Sequence, residues 1–398
     1  MNGHSMSADT ATASPHEPKG PEKGGTTPLD IVIFGLSITS AWGNGHATTY
    51  RSLVRALAQR GHRITFFERD KAWYAQHRDL PSPPWCDTRL YASLDELQQQ
   101  FSTGITADLV IVGSYVPDGA SLARWVLERA QCPVAFYDID TPVTLASLAQ
   151  GRCSYLSREL VPLFDLYLSF TGGPLLAQLR SLYGARRVQP LYCSVDTGLY
   201  HPADVPPIYD LAYLGTYSED RQPSLERLLI EPARRWPEGR FCVAGAQYPQ
   251  DIEWPGNIIR IEHVSPREHC RFYNSQRFAL NLTRADMRAA GYSPSVRLFE
   301  AAACGVPIIT DRWPGLEHFF EPGMDILVAE SGVQVLHYLC ELDHTDACVI
   351  GIRGRGRVLG NHTAAHRAAQ LESYVHEIRH PGLERPSPAM TREALHGT

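Results

Sequence analysis

The sequence predicts an α/β protein built as two doubly wound halves, on three observations. Short apolar runs alternate with stretches of helical period, the pattern of strands and crossover helices in a parallel sheet. The first such run, Asp30-Ile-Val-Ile-Phe-Gly35, is closed by glycine and followed by a long polar loop and a helix, the opening of a βαβ unit. After a proline-bearing interval at 201–207 the alternation starts again, so the chain reads as two series rather than one.

In the first series the loop Leu36-Ser-Ile-Thr-Ser-Ala-Trp-Gly-Asn-Gly-His46 leads into a helix with Tyr50, Leu53, Val54 and Leu57 on one face, ended by Gly61. Strands are expected at 63–68, 108–112, 134–137 and 164–170, with helices at 120–130 and 174–183. Pro81, Pro83 and Pro84 mark 71–100 as an irregular excursion. The second series has strands at 209–214 and 241–244 and helices at 223–234 and 267–276. A strand at 278–282, a helix ended by Gly305, strands at 306–309 and 326–328, and a helix to 341 continue it. An amphipathic helix from 363 to 379 closes the pattern. The expected organisation is a disordered tail over 1–28, a first domain over 29–203, a second over 204–345, C-terminal helices over 346–380 and a disordered tail over 381–398.

Composition narrows the function. The chain of 398 residues can bury two cores, and 43% hydrophobic with 20% charged residues is the make-up of a soluble globular protein. A net charge of -6 argues against a broad nucleic-acid surface. No apolar run approaches the roughly 20 residues of a membrane-spanning helix, which leaves only peripheral membrane contact open. Nine cysteines, an odd number without a Cys-x-x-Cys pair, point to a reducing cytoplasm and no zinc site; Cys132, Cys242 and Cys304 sit in apolar patterns and read as core thiols.

The chemistry concentrates between Ala279 and Asp311, read as strand, polar loop, capped helix, tight turn and strand. Ser293 or Ser295 can cap the helix and Pro294 suits its first turn, so open amides and a positive dipole end would face a phosphate. Arg297 and Glu300, three apart on one helix face, offer a cation for phosphate and a carboxylate for two ribose hydroxyls, or equally an exposed ion pair. A second loop, Leu214-Gly-Thr-Tyr-Ser-Glu-Asp-Arg221, has a Gly215-Thr216 turn that admits a phosphate and Arg221 to reach its oxygens; a plain βα loop is the alternative. In Tyr137-Asp-Ile-Asp-Thr-Pro142, Asp138 and Asp140 would point the same way if the strand persisted that far. They can orient an acceptor hydroxyl or act as base, or merely cap the next helix. Gly43-Asn-Gly-His-Ala-Thr48 starts like a dinucleotide fingerprint with Glu68 as its acid, but Thr48 replaces the third glycine and the loop is too long for NAD. Trp42, Gly43, Asn44 and Gly45 then read as an acceptor-side cleft wall, and His46 as a base, a phosphate partner or a packing residue.

Together, Tyr213-Leu-Gly-Thr-Tyr-Ser-Glu-Asp-Arg221, Ser295-Val-Arg-Leu-Phe-Glu-Ala-Ala-Ala-Cys-Gly-Val-Pro-Ile-Ile-Thr-Asp311 and Pro314-Gly-Leu-Glu-His-Phe-Phe-Glu-Pro-Gly323 resemble the donor domain of GT-B glycosyltransferases and, more narrowly, the CgeB-like family. The resemblance covers most of 30–341 and is concentrated between 280 and 323. It implies two facing Rossmann-like domains with parallel sheets and a C-terminal crossover helix returning to the first domain. A nucleoside diphosphate sugar would occupy the second domain, with Glu300 on the ribose and Arg221, Arg297 and the amides near Ser293 to Ser295 on the diphosphate. The implied reaction transfers a sugar to an acceptor hydroxyl without a metal or other cofactor, retention being expected over inversion. The acceptor stays open among a glycan, a lipid carrier, a protein and a small metabolite. Where related retaining enzymes carry Glu-x7-Glu, the first glutamate is replaced here by Tyr292. A nucleotide-sugar epimerase on the same fold and a non-catalytic nucleotide-sugar-binding protein are the alternatives.

Overall fold

The computed structural model describes residues 27–42 and 45–379; Gly43, Asn44 and nearly all of the two expected tails lie outside these residues. Seven parallel strands form the first sheet: β1 (Asp30–Gly35), β2 (Arg63–Arg69), β3 (Asp87–Tyr91), β4 (Leu109–Gly113), β5 (Val134–Asp138), β6 (Leu166–Ser169) and β7 (Val188–Pro190), in the order 3-2-1-4-5-6-7. Its helices are α1 (His46–Gln59), α2 (Ala72–Ala75), α3 (Leu94–Gln100), α4 (Gly119–Arg129), α5 (Thr141–Ala149) and α6 (Pro174–Tyr183). The central strands β4, β5 and β6 are apolar without alternation and buried throughout, because crossover helices cover both faces.

Six parallel strands form the second sheet: β8 (Tyr209–Leu214), β9 (Phe241–Ala244), β10 (Ile258–Ile261), β11 (Gln276–Asn281), β12 (Ile308–Thr310) and β13 (Leu327–Val328), in the order 10-9-8-11-12-13. With it go α7 (Gln222–Leu225), α8 (Glu231–Arg235), α9 (His269–Asn274), α10 (Ala285–Ala290), α11 (Val296–Ala303), α12 (Gly332–Cys340), α13 (His344–Asn361) and α14 (Ala364–Arg379). Strand order reverses between β1 and β4 and between β8 and β11, and ligands of open α/β sheets sit outside the carboxyl ends at such points. No helix among the described residues is long and apolar enough to cross a membrane.

Several elements depart from expectation for local reasons. The excursion at 71–100 contains α2, the edge strand β3 and α3; β3 reads Asp-Thr-Arg-Leu-Tyr and is largely exposed, so it lacks the apolar signature of its neighbours. The helix expected at 223–234 is α7 and α8 joined by a π turn at Glu226–Ile230, next to Pro232, which has no amide to donate. Of the three cysteines read as core, Cys242 and Cys304 are buried whereas Cys132 is half-exposed. Helix α13 carries glycines that weaken a helix by propensity, yet a Cβ on Gly351 would lie 2.2 Å from the Gly305 carbonyl oxygen. Close helix packing therefore requires that glycine.

The chain crosses between the sheets twice, and the crossings bond to each other. The Val195 amide donates to the His362 carbonyl at 3.3 Å and the Ala364 amide to the Val195 carbonyl at 2.9 Å. Arg367, 2% exposed, donates to the Tyr192 and Cys193 carbonyls and to His362 Nδ1. Helix α14 then returns to α1, where Glu372 accepts from Arg60 and His62, and the Tyr374 hydroxyl donates to the Pro190 carbonyl. One apolar cluster runs from the first sheet through the crossings to α11 and α14.

Candidate active site

Loops from the carboxyl ends of β1, β5, β6, β8 and β11 converge with the N-terminus of α11 on a cleft between the sheets. Gly45, His46, Asp140 and Phe170 line one side, and Arg221, Arg284, Ser293, Ser295 and Arg297 the other. Ser295 occupies the N-cap position of α11 in extended backbone, but its hydroxyl donates to Asn281 Oδ1 at 2.7 Å and caps nothing. Of the first-turn amides of α11, that of Leu298 donates to the Ser295 carbonyl at 3.1 Å, which leaves those of Val296 and Arg297 to bind an anion. Pro294 precedes the cap instead of entering the first turn, and Ser293 faces Thr171 of the first domain, hydroxyl to hydroxyl, at 2.8 Å.

Of the two readings of Arg297 and Glu300, the exposed ion pair does not form; the two side chains line different compartments. Arg297 lines the cleft, lies 5.2 Å from the Tyr213 ring centroid and makes long contacts to Asn281, Leu282 and Ser295 oxygens. Arg221 donates to the Thr216 carbonyl at 2.7 Å, while its Nε is buried without a partner. Burial, with the neighbouring Arg297 charge adding to it, pushes the Arg221 guanidinium below its usual range. No carboxylate lies within salt-bridge distance of Arg221 or Arg297 among the described residues. Gly215 and Thr216 do not line the cleft: the Tyr248 hydroxyl donates to the Gly215 carbonyl, and Thr216 holds Arg221, so the turn positions the arginine.

Glu300 sits one helical turn from Arg297, buried, accepting from the Tyr273 hydroxyl at 2.9 Å. It lines a second chamber of about 170 Å³, and Val296 is a wall of both compartments.

Asp138 and Asp140 part company. β5 ends at Asp138, so the alternation that would have aimed both into the cleft stops there. Asp138 is fully buried, accepting from Tyr167 at 2.5 Å and Thr144 at 2.7 Å, and burial raises its carboxyl to about 6. Asp140 faces the cleft, accepts from the Tyr115 hydroxyl at 3.2 Å and lies 3.7 Å from Arg284. Arg284, which sequence reasoning missed, also approaches Asp220 at 3.8 Å and so bridges carboxylates of both domains. Its only sequence signal was a basic residue in the loop after β11.

His46 opens α1 on the cleft wall with its Nδ1 buried and unpartnered, and burial lowers its pKa against the opposing pull of Asp140. Trp42 is stacked on His77 at 4.4 Å outside the cleft lining. Glu68 takes the Ile38 and Thr39 amides and the Thr39 hydroxyl, all within 2.9 Å. Fully buried and engaged by three donors of the long loop, it fastens that loop instead of facing a ribose, which argues against the NAD fingerprint. Tyr292 has φ 48° and wedges between Gly173 and Gly315, where added Cβ atoms would meet its ring at 2.3 and 2.6 Å. Its carbonyl accepts from the Gly172 amide, so it is a strut between domains.

Residues 221–373 match the family described as glycosyl transferase-like. Among solved structures, sucrose-phosphate synthase from Thermosynechococcus elongatus superposes with a TM-score of 0.64 at 15% identity, covering 88% of this chain and 99% of that one. Anabaena HepE, solved with UDP-glucose, gives a TM-score of 0.64 at 11% identity over 88% of this chain and 100% of its own. An alpha-glucosyltransferase in complex with UDP-glucose and DNA gives 0.63 at 14% identity, with 88% and 100% covered. The fold is GT-B. No curated protein sequence matches the chain. Within this GT-B frame, Arg221 and α11 lie in the segment that matches the glycosyl transferase-like family, and His46 and Asp140 in the domain of the other sheet.

Proposed function

We propose that the chain is a glycosyltransferase that moves a sugar from a nucleoside diphosphate sugar to an acceptor hydroxyl. The observation that supports it most is the Arg221 and Arg297 pair at an uncapped helix terminus, neither within salt-bridge distance of a carboxylate among the described residues. A diphosphate would pair directly with both guanidinium groups. As the bond from the anomeric carbon to the diphosphate breaks, charge grows on the leaving oxygens, and the arginines with the α11 amides stabilise it. This reading needs no metal ion. His46, held neutral by burial, and Asp140 on the opposite wall orient the acceptor hydroxyl, and the Glu300 carboxylate takes the ribose diol. We favour retention over inversion, a narrower kinship with the CgeB-like family, and a cytoplasmic reaction, the last in keeping with nine unpaired cysteines.

The neighbours described with UDP-glucose make a UDP-sugar the first donor to test. Calorimetry with UDP-glucose and other nucleotide sugars should give binding that Arg297→Gln weakens by roughly 10- to 100-fold, the worth of a lost charged hydrogen bond. Slow release of free UDP marks a transferase, an isomerised sugar marks an epimerase, and binding with neither marks a binding protein. Absence of binding to every nucleotide sugar would sink the proposal.

A further inference from the structure

The backbone is strained just beyond the carboxyl end of β4. Tyr115 sits there at φ 63°, a left-handed conformation that a bulky side chain rarely adopts. Such a conformation persists only where the surroundings over-determine it. Ser114 donates its amide to the Tyr137 carbonyl at 2.9 Å, and its hydroxyl accepts the Ile139 amide at 3.1 Å. The ends of β4 and β5 are thereby tied together immediately before Asp140. The Tyr115 ring lies 4.6 Å from the Tyr155 ring and meets the His46 imidazole edge-on at 5.2 Å. The Tyr155 hydroxyl is bonded in turn to the Thr144 hydroxyl of α5 at 2.8 Å.

What the strain places is the phenol. Its hydroxyl donates to Asp140 Oδ2 at 3.2 Å, and Arg284 Nη1 approaches the same oxygen from the other domain at 3.7 Å. Arg284 is steadied by Asp220, whose Oδ2 lies 3.8 Å from its Nε and accepts the Ala285 amide at 2.9 Å. Both contacts to Asp140 therefore fall on one carboxylate oxygen, and no hydrogen bond reaches Oδ1 among the described residues. Burial, and then the charges of Asp140 and Asp138, push the Tyr115 phenol well above its usual range, so it stays a donor at neutral pH.

We propose that Tyr115 is a positioning residue for the transfer: with Arg284 it holds Asp140 Oδ2, which leaves Oδ1 to accept the hydrogen of the incoming hydroxyl. Its ring meanwhile packs on His46, the other group on that wall. This assignment rests on the acceptor role given to Asp140 above, and adds that each domain contributes a group orienting the carboxylate. Asp140 is then fully oriented only when both domains are in place.

The test is a double-mutant cycle on the full chain with Tyr115→Phe and Asp140→Asn. Release of nucleoside diphosphate from UDP-, GDP-, ADP- and TDP-glucose is followed with water as acceptor, and binding of each is measured by calorimetry. Tyr115→Phe keeps the ring and should lower kcat by about tenfold or more, the worth of a hydrogen bond to a charged group, with KM and nucleotide-sugar affinity within about twofold of the parent. Added to Asp140→Asn, it should cost less than about twofold more, because the group it positions is gone. Arg284→Gln should show the same pattern, and carries the test if Tyr115→Phe does not fold. Equal losses in both backgrounds, or an unchanged kcat in Tyr115→Phe, would overturn the inference while the donor reading stands. A parent that binds a nucleotide sugar and releases no diphosphate also overturns it, since no hydroxyl is then being oriented. A parent that binds none overturns both.

Discussion

Asp138 and Asp140 differ by two positions and have opposite fates, set by where one strand stops. Asp138 ends β5 and is enclosed by Tyr167 and Thr144, whereas Asp140 begins the turn beyond and reaches Tyr115 and Arg284. Asp138→Asn should therefore leave donor hydrolysis and transfer within about threefold of the parent, while Asp140→Asn should cost about a hundredfold or more in kcat, the lower range for a positioned acid or base group. Equal losses in steady-state assays would return Asp138 to the site. Arg221 and Arg297 are the same kind of case: that neither has a carboxylate within salt-bridge distance among the described residues is legible only once the neighbours are known.

At the scale of elements, the crossing at 361–364 meets α11 through His362, whose ring stacks on Phe299 at 4.8 Å, one residue before Glu300. Burial and then the Arg367 charge hold the His362 imidazole down to about 3. In the unfolded chain it returns to an ordinary value of about 6.5. The unfolded state then binds the extra proton between those values, so this contribution is complete above pH 6.5 and is lost as pH falls towards 3. The slope approaches 1.4 kcal/mol per pH unit in the middle of that window. His362→Gln keeps an acceptor for Arg367 and cannot titrate. Its urea-unfolding free energy should fall less steeply with acid than the parent's, and parallel slopes would refute the assignment. The same element-scale view explains Tyr292: its ring fills space left by two glycines, so the residue at the Glu-x7-Glu position has become an interdomain strut.

Across the whole molecule, the GT-B halves are joined by two crossings, the Tyr292 strut and the return of α14 onto α1. Glu372 is the polar centre of that return, receiving Arg60 and His62 in a mostly buried pocket. Glu372→Ala leaves a guanidinium without its partner and should lower stability by about 2 kcal/mol, below the range for fully buried pairs because Arg60 is partly exposed. Thermal unfolding should show the loss mainly in α14 docking, with nucleotide affinity retained; an unchanged midpoint would assign the docking to apolar contacts alone.

The sequence by itself determined the architecture and the neighbourhood of the site. Short apolar runs that lack alternation and are bounded by turn residues read as strands covered on both faces, and Gly305 closing α11 at φ 75° is a local requirement readable from the residue type. Strong local signals such as Pro174 opening α6 carried their boundaries intact. What the tertiary structure alone decided was the pairing of side chains distant along the chain. Whether Arg297 meets Glu300 or faces the cleft, whether Asp138 is enclosed, and that Arg284 spans two domains all depend on loops brought together by separate sheets. The edge strand β3 and the glycine-bearing helix α13 were faint in sequence for the same reason: partners elsewhere in the fold, and not their own propensity, stabilise them.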